Sequence, residues 1–252
     1  AWKISQMLVC GRNLTLLEFF CQTKPSLPVM PTSPTKQPVT ESQQIVKGKR
    51  PSASSALKRD IILRAARRVF EAEGLEGASL RAIAKEAGYT PAALYFHFDS
   101  KEAVYAELLG QSLATLNADI AAAIHQIDTP VQRLKASAMA FFNYYRNNPG
   151  DLDLGFYLFR GGMKPKGLGR ERDAELNRQL QSSLQPITDA AMAMGVSTAH
   201  ANEITASVFA YATGLLLLAH TGRIRIFNAS AEQMMASFSD TLTTRIDGEI
   251  PC

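Results

Sequence analysis

Residues 79–98, SLRAIAKEAGYTPAALYFHF, hold two short helical segments joined at a glycine. Ser79 can cap the first segment and Gly88 can end it. Thr90 can cap the second, and Pro91 stands at its first helical position, where a missing N–H does no harm. Ala84 lies four residues before Gly88. Two helices crossing steeply there leave room only for a small side chain. Ile83, Ala87 and Leu94 can pack inward, and the stretch reads as a helix-turn-helix, whose second helix enters a DNA major groove. An ordinary helical corner is the plainer alternative.

The surroundings of this stretch are helical too. From Leu57 the apolar period is 3.6: Leu57, Ile61, Ile62, Ala65, Val69 and Phe70 form one stripe, and Arg59, Arg64, Arg67 and Arg68 line the other faces. Gly74 stops that helix, and Ser100 caps the one that follows Phe98. Further helices are expected over 130–147, 151–160, 170–194, 199–221 and 230–247, with Pro186 as a kink and GGMKPKGLG (161–169) as a loop. No β-alternation or internal repeat is visible, so the fold class is all-α. With 252 residues, 46% of them hydrophobic, the chain can bury a sizeable core.

Charge is uneven along the chain. Residues 1–46 sum to +2, residues 47–101 to +5 and residues 102–252 to −3, giving the net +4. A basic front is expected to meet a polyanion, or else to be a solvated face. Cys10, Cys21 and Cys252 have no metal-ligand spacing and imply no disulfide framework. A reducing, cytoplasmic setting is expected. The apolar run VFAYATGLLLLAH (208–220) is shorter than a membrane span and reads as a buried helix, so no membrane is expected. Residues 22–56 are rich in Pro, Ser, Thr, Gln and Lys and contain no aromatics. Such a segment buries too little to offset its ordering entropy, and residues 1–56 are expected to be a disordered extension. Met30 is a sensible native start, so residues 1–29 are treated, as a hypothesis, as not native.

The run from Leu57 to Leu109 resembles the DNA-binding domain of the tetracycline-repressor (TetR/AcrR) family of bacterial regulators. The resemblance is carried by ILRAARRVFEAEG (62–74), SLRAIAKEAG (79–88) and LYFHFDSKEAVYAELL (94–109). It implies a three-helix DNA-binding domain, here residues 57–100. A larger ligand-binding and dimerisation domain, residues 101–252, follows. The partners it implies are a double-stranded DNA operator, an unidentified small-molecule effector and a second copy of the chain. Carried over position by position, Arg81 touches backbone or a base edge, and Thr90, Pro91, Ala92 and Ala93 face the bases. Tyr95, His97 and Lys101 meet phosphates, Lys101 at a helix N-terminus that itself favours anions. Pro91, Ala92 and Ala93 stand where polar residues or glycine are common in the family. Thr90 can hydrogen-bond and the alanines can touch thymine methyls. Specificity is then expected to rest on apolar contacts, Arg81 and DNA shape. KGKR (47–50) reads either as an arm reaching the minor groove or as a solubilising tail.

Nothing supports catalysis. His97, His125, His200 and His220 form no metal pattern, there is no phosphate-binding Gly-Lys-Ser/Thr loop, and no metal or cofactor is expected. Aromatics crowd residues 139–159. Phe141, Tyr145, Phe156 and Phe159, with His125 and His220 on neighbouring helices, are candidates for an effector pocket. The sequence predicts a ligand-responsive repressor acting as a homodimer on a near-palindromic operator. A DNA-binding architectural protein without a ligand switch remains the alternative.

Overall fold

The computed structural model describes residues 53–156 and 167–249. All regular structure among them is helical: α1 (Ala53–Gly77), α2 (Leu80–Ala87), α3 (Pro91–Tyr95), α4 (Lys101–Ile124), α5 (Pro130–Asn147), α6 (Pro149–Phe156), α7 (Arg170–Ala193), α8 (Thr198–His220) and α9 (Ala231–Glu249). A 3-10 turn, Arg223–Phe227, joins α8 to α9. KGKR, the cysteines, Phe159 and most of the expected 161–169 loop lie outside the described residues.

Local chemistry sets the boundaries in the front half. Gly74 breaks the regular path of α1 at φ 71°, ψ 175°, a conformation a Cβ would strain. The side chains of Ser79, Thr90 and Ser100 accept the N–H of Ala82, Ala93 and Ala103, capping α2, α3 and α4. Gly88 takes the left-handed conformation at φ 74°, and its N–H returns to the Ala84 and Lys85 carbonyls. Helix α1 starts at Ala53, so residues 53–56 are helical rather than part of the extension. Helix α3 is shorter than PAALYFHF: it ends at Tyr95, after which His97 and Phe98 turn back to the Leu94 carbonyl. Helix α7 runs on both sides of Pro186.

One core runs through the described residues. Ile62, Ala66, Val69 and Phe70 of α1 share one cluster with Leu80, Ile83 and Ala84 of α2, Leu94 of α3 and the start of α4. Ala84 is fully buried where a small residue was expected. Leu57 departs from its predicted stripe and is 60% exposed. Further along, α5 packs against α4, α7, α8 and α9, and α7 against α4 and α8. Phe141, Phe142 and Tyr145 of α5 are fully buried there.

Helix α8 corrects an expectation. At 23 residues it is, among the described residues, the helix long and apolar enough by length and composition to cross a membrane. Its packing against α5, α7 and α9 is that of a core helix. It was expected to be buried, yet only 33% of its most apolar window is.

Candidate nucleic-acid interface

Helix α3 is fixed from behind. Leu94 is fully buried, and Phe98, just past the helix, is 3% exposed. Arg59 of α1 lies over the Phe98 ring, 4.3 Å from its centroid, and donates to the His97 carbonyl at 3.0 Å. Its Nε donates to Glu107 of α4 at 2.7 Å. One guanidinium therefore joins α1, the end of α3 and α4. Ion pairing with a planar donor fork suits this role better than an ammonium would.

The outer side of α3 is open. Thr90, Pro91 and Ala92 are exposed, Ala93 is half-buried, and Tyr95 and Phe96 are 60% and 89% exposed. His97 is half-buried, its carbonyl held by Arg59. Thr90 Oγ1 accepts the Ala93 N–H at 3.2 Å, which leaves its hydroxyl hydrogen available. Arg81 stands exposed on α2, with no ion pair among the described residues. The structure thus brings Arg81, Thr90, Pro91, Ala92 and Tyr95 onto accessible surface of the helix-turn-helix.

Lys101 is placed differently from its expected role. Its Nζ donates to the carbonyls of Leu75, Glu76 and Ala78 at 2.8, 3.1 and 3.1 Å. An ammonium has three hydrogens. All three are directed into the end of α1, whose last carbonyls would otherwise be orphaned. The arginines of α1 are also less available than a basic front suggests. Arg59 pairs with Glu107, Arg64 with Asp60, Arg67 with Asp151 and Arg68 with Glu86.

The Arg67 pair belongs to a tie that sequence reading missed. Asp151, at the start of α6, accepts from Arg67 of α1 and from the Tyr144 hydroxyl of α5, the latter at 2.5 Å. Ser112 Oγ of α4 lies 3.2 Å from the same hydroxyl. Burial alone would raise the Asp151 carboxyl, but the Tyr144 hydrogen bond and the Arg67 charge outweigh it and hold the group below its ordinary value. Burial, with the Asp151 hydrogen bond, pushes the Tyr144 hydroxyl up, so it stays a donor. Only tertiary packing joins residues 67, 112, 144 and 151, so no local spacing could have disclosed them.

Of the expected effector residues whose side chains are described, Phe141, Tyr145 and His220 lie together and His125 stands apart. Phe141 and Tyr145 stack edge-on at 5.1 Å, and Phe141 meets Phe209 at 5.7 Å, as packed core. His125 is exposed at the end of α4. His220 is exposed at the end of α8, with Nε2 3.2 Å from the Tyr145 carbonyl. Phe156 ends α6 and its side chain lies outside the described residues. An open groove runs instead between α4 and α7, with Gly110 and Leu176 on its floor and Glu107, Arg172, Glu175 and Gln179 along it. No cluster of His, Cys, Asp and Glu suited to a metal occurs among the described residues.

Comparison with known proteins places this geometry. Residues 62–108 match the sequence profile of bacterial regulatory proteins of the tetR family. An uncharacterized HTH-type transcriptional regulator of Mycobacterium tuberculosis is 33% identical over 93 residues, 37% of this chain and 46% of that protein. The match therefore spans about half the length of the relative. Among solved structures, a tetR-family regulatory protein from Rhodococcus RHA1 aligns over 75% of this chain and 96% of its own, with a TM-score of 0.58 and 19% identity. The regulator FadR from Bacillus subtilis, in complex with stearoyl-CoA, aligns over 76% and 99%, with a TM-score of 0.55 and 14% identity. At such identities the structural likeness speaks for the fold.

Proposed function

We propose, from the match of residues 62–108 to the tetR family of bacterial regulatory proteins, that the chain is a cytoplasmic, dimeric repressor that leaves its operator when a small molecule binds. The observation that carries this reading is the outward surface of α3. Leu94 anchors the helix, and Pro91, Ala92, Tyr95 and Phe96 stand exposed, as does Arg81, which has no ion pair among the described residues. Thr90, Pro91, Ala92 and Ala93 face the bases, while Arg81, Tyr95 and His97 position the helix on the backbone. KGKR, which precedes α1 in the sequence, would supply cations for the phosphates or the minor groove.

Dimerisation is supported by α8. Along α8, Ala210 and Gly214 are exposed and Tyr211, Leu217 and Leu218 half-buried in the single chain, and such an apolar strip suits a partner helix. Tyr211 of α8 and Phe238 of α9 stack at 4.1 Å, both half-buried, and join the two helices into one face. A two-fold mate covers it and sets the two copies of α3 on successive major grooves.

An effector acts only through its different affinity for the conformers that fit and do not fit the operator. The stearoyl-CoA held by the Bacillus subtilis neighbour makes an acyl-CoA series the first set to screen. The test is a footprint of the purified full chain on DNA flanking its own gene, with and without cell extract. A protected near-palindrome with half-sites about one helical turn apart, lost on adding extract, is the expected result. Equal binding to random DNA would establish the architectural alternative instead.

A further inference from the structure

We propose that Phe96, with Ala92 one helical turn before it, reads thymine C5-methyl groups in the major groove; the inference rests on the DNA-binding reading above and names the base that the site selects.

Three observations lead there. Residues 92 and 96 are four apart, and Phe96 keeps helical angles at φ −69°, ψ −19°, so the two side chains share one face of α3. That face is opposite to Leu94, which is fully buried. Phe96 is the most exposed large apolar side chain of the described residues, at 89%. The second observation is chemical. Residues 89–98 contain no Arg, Lys, Asn or Gln, the side chains that grip guanine or adenine by paired hydrogen bonds. Beside the hydroxyls of Thr90 and Tyr95, this segment turns outward a phenyl ring, a methyl and a proline ring, and the apolar group in the major groove is the thymine methyl. The third is rigidity. Thr90 caps the helix, and Arg59 holds the His97 carbonyl and covers Phe98, so the backbone on both sides of Phe96 is fixed. A ring displayed from fixed backbone loses little freedom on docking, and the burial of both apolar surfaces favours binding.

The test replaces thymidine by deoxyuridine, which removes the methyl and leaves pairing and charge intact. Operator DNA is first selected from a random pool with the full chain. Deoxyuridine is then placed at each thymine of both half-sites. Affinity is expected to fall about fourfold for each contacted methyl, the worth of one buried carbon. Phe96→Ala is expected to weaken the unmodified operator at least fivefold and to abolish most of the deoxyuridine effect, because the two changes remove one contact. Its salt dependence and Tm stay those of the wild type, since no ion pair and no core atom is lost. Phe96→Leu restores part of the methyl sensitivity. Equal binding to thymine and deoxyuridine operators would overturn the proposal, as would Phe96→Ala retaining full sensitivity. If selection yields no sequence preferred over random DNA, the DNA-reading function itself fails, before deoxyuridine is used.

Discussion

Lys101 follows Ser100 at the start of α4, a place where a helix end and a cation are both suited to a phosphate. Its Nζ instead closes the end of α1 on the carbonyls of residues 75, 76 and 78. Charge-assisted hydrogen bonds of this kind are worth roughly 1.5–3 kcal/mol. Lys101→Ala is therefore expected to lower Tm by several degrees. The salt dependence of operator binding is expected to keep its slope. A slope smaller by about one ion would return Lys101 to the DNA backbone. The Ser-Lys-Glu pattern located this residue, but the sequence could not disclose its partners. They are main-chain oxygens, uncovered where Gly74 breaks the regular path of α1. Phe96 was also legible as an aromatic, but whether LYFHF faces inward or outward depended on where α3 ends. Phe141 and Tyr145 were rightly placed on one apolar face, and packing then closed them into core.

Among elements, the short helix α6 is held most specifically. Asp151 at its start receives Arg67 from α1 and Tyr144 from α5, so α6 is tied to the helix that backs α2 and α3. Gly150 sits close to the same spot: a Cβ there would come within 2.9 Å of Glu71 Oε1. Of the expected helix over 151–160, residues 151–156 are helical and the rest lie outside the described residues; its apolar content was visible in the sequence and the role of its first acid was not. Asp151→Asn keeps the shape and removes the charge. Arg67 is partly exposed, which tempers the cost below that of a buried pair. A loss of about 1–3 kcal/mol is expected by urea denaturation at neutral pH. The pH dependence has a definite sign. A carboxyl lowered in the folded state stabilises the fold above its ordinary value of 3.8, and that contribution disappears as pH falls through the lowered native value. Wild-type stability should therefore fall on acidification more steeply than that of Asp151→Asn. Parallel curves for the two proteins would mean that the tie contributes nothing.

The whole molecule is where the helical periods were most informative and least complete. Helices α1, α2, α4, α5, α7, α8 and α9 lie within a few residues of their expected spans, because each carries an apolar stripe and recognisable ends. VFAYATGLLLLAH read as a buried helix, and the proposed dimer face lies along the residues of α8 that the single chain leaves exposed or half-buried. Ala210, Tyr211, Gly214 and Leu218 follow one another at helical spacing along it. Gly214 offers a clean probe. It is exposed, and a Cβ built on it meets nothing within 4 Å, so the single chain has room for a larger side chain. Gly214→Ala should leave the dimer intact or firm the helix by up to about 1 kcal/mol. Gly214→Arg places a charge where two helices would close on each other, and burying it unpaired is costly. Light scattering is expected to find a folded monomer, with the helical circular dichroism of the wild type. Operator affinity should drop to that of one isolated half-site, because the two copies of α3 are no longer linked. A Gly214→Arg protein that remains dimeric and binds a full operator normally would move the interface away from this face of α8.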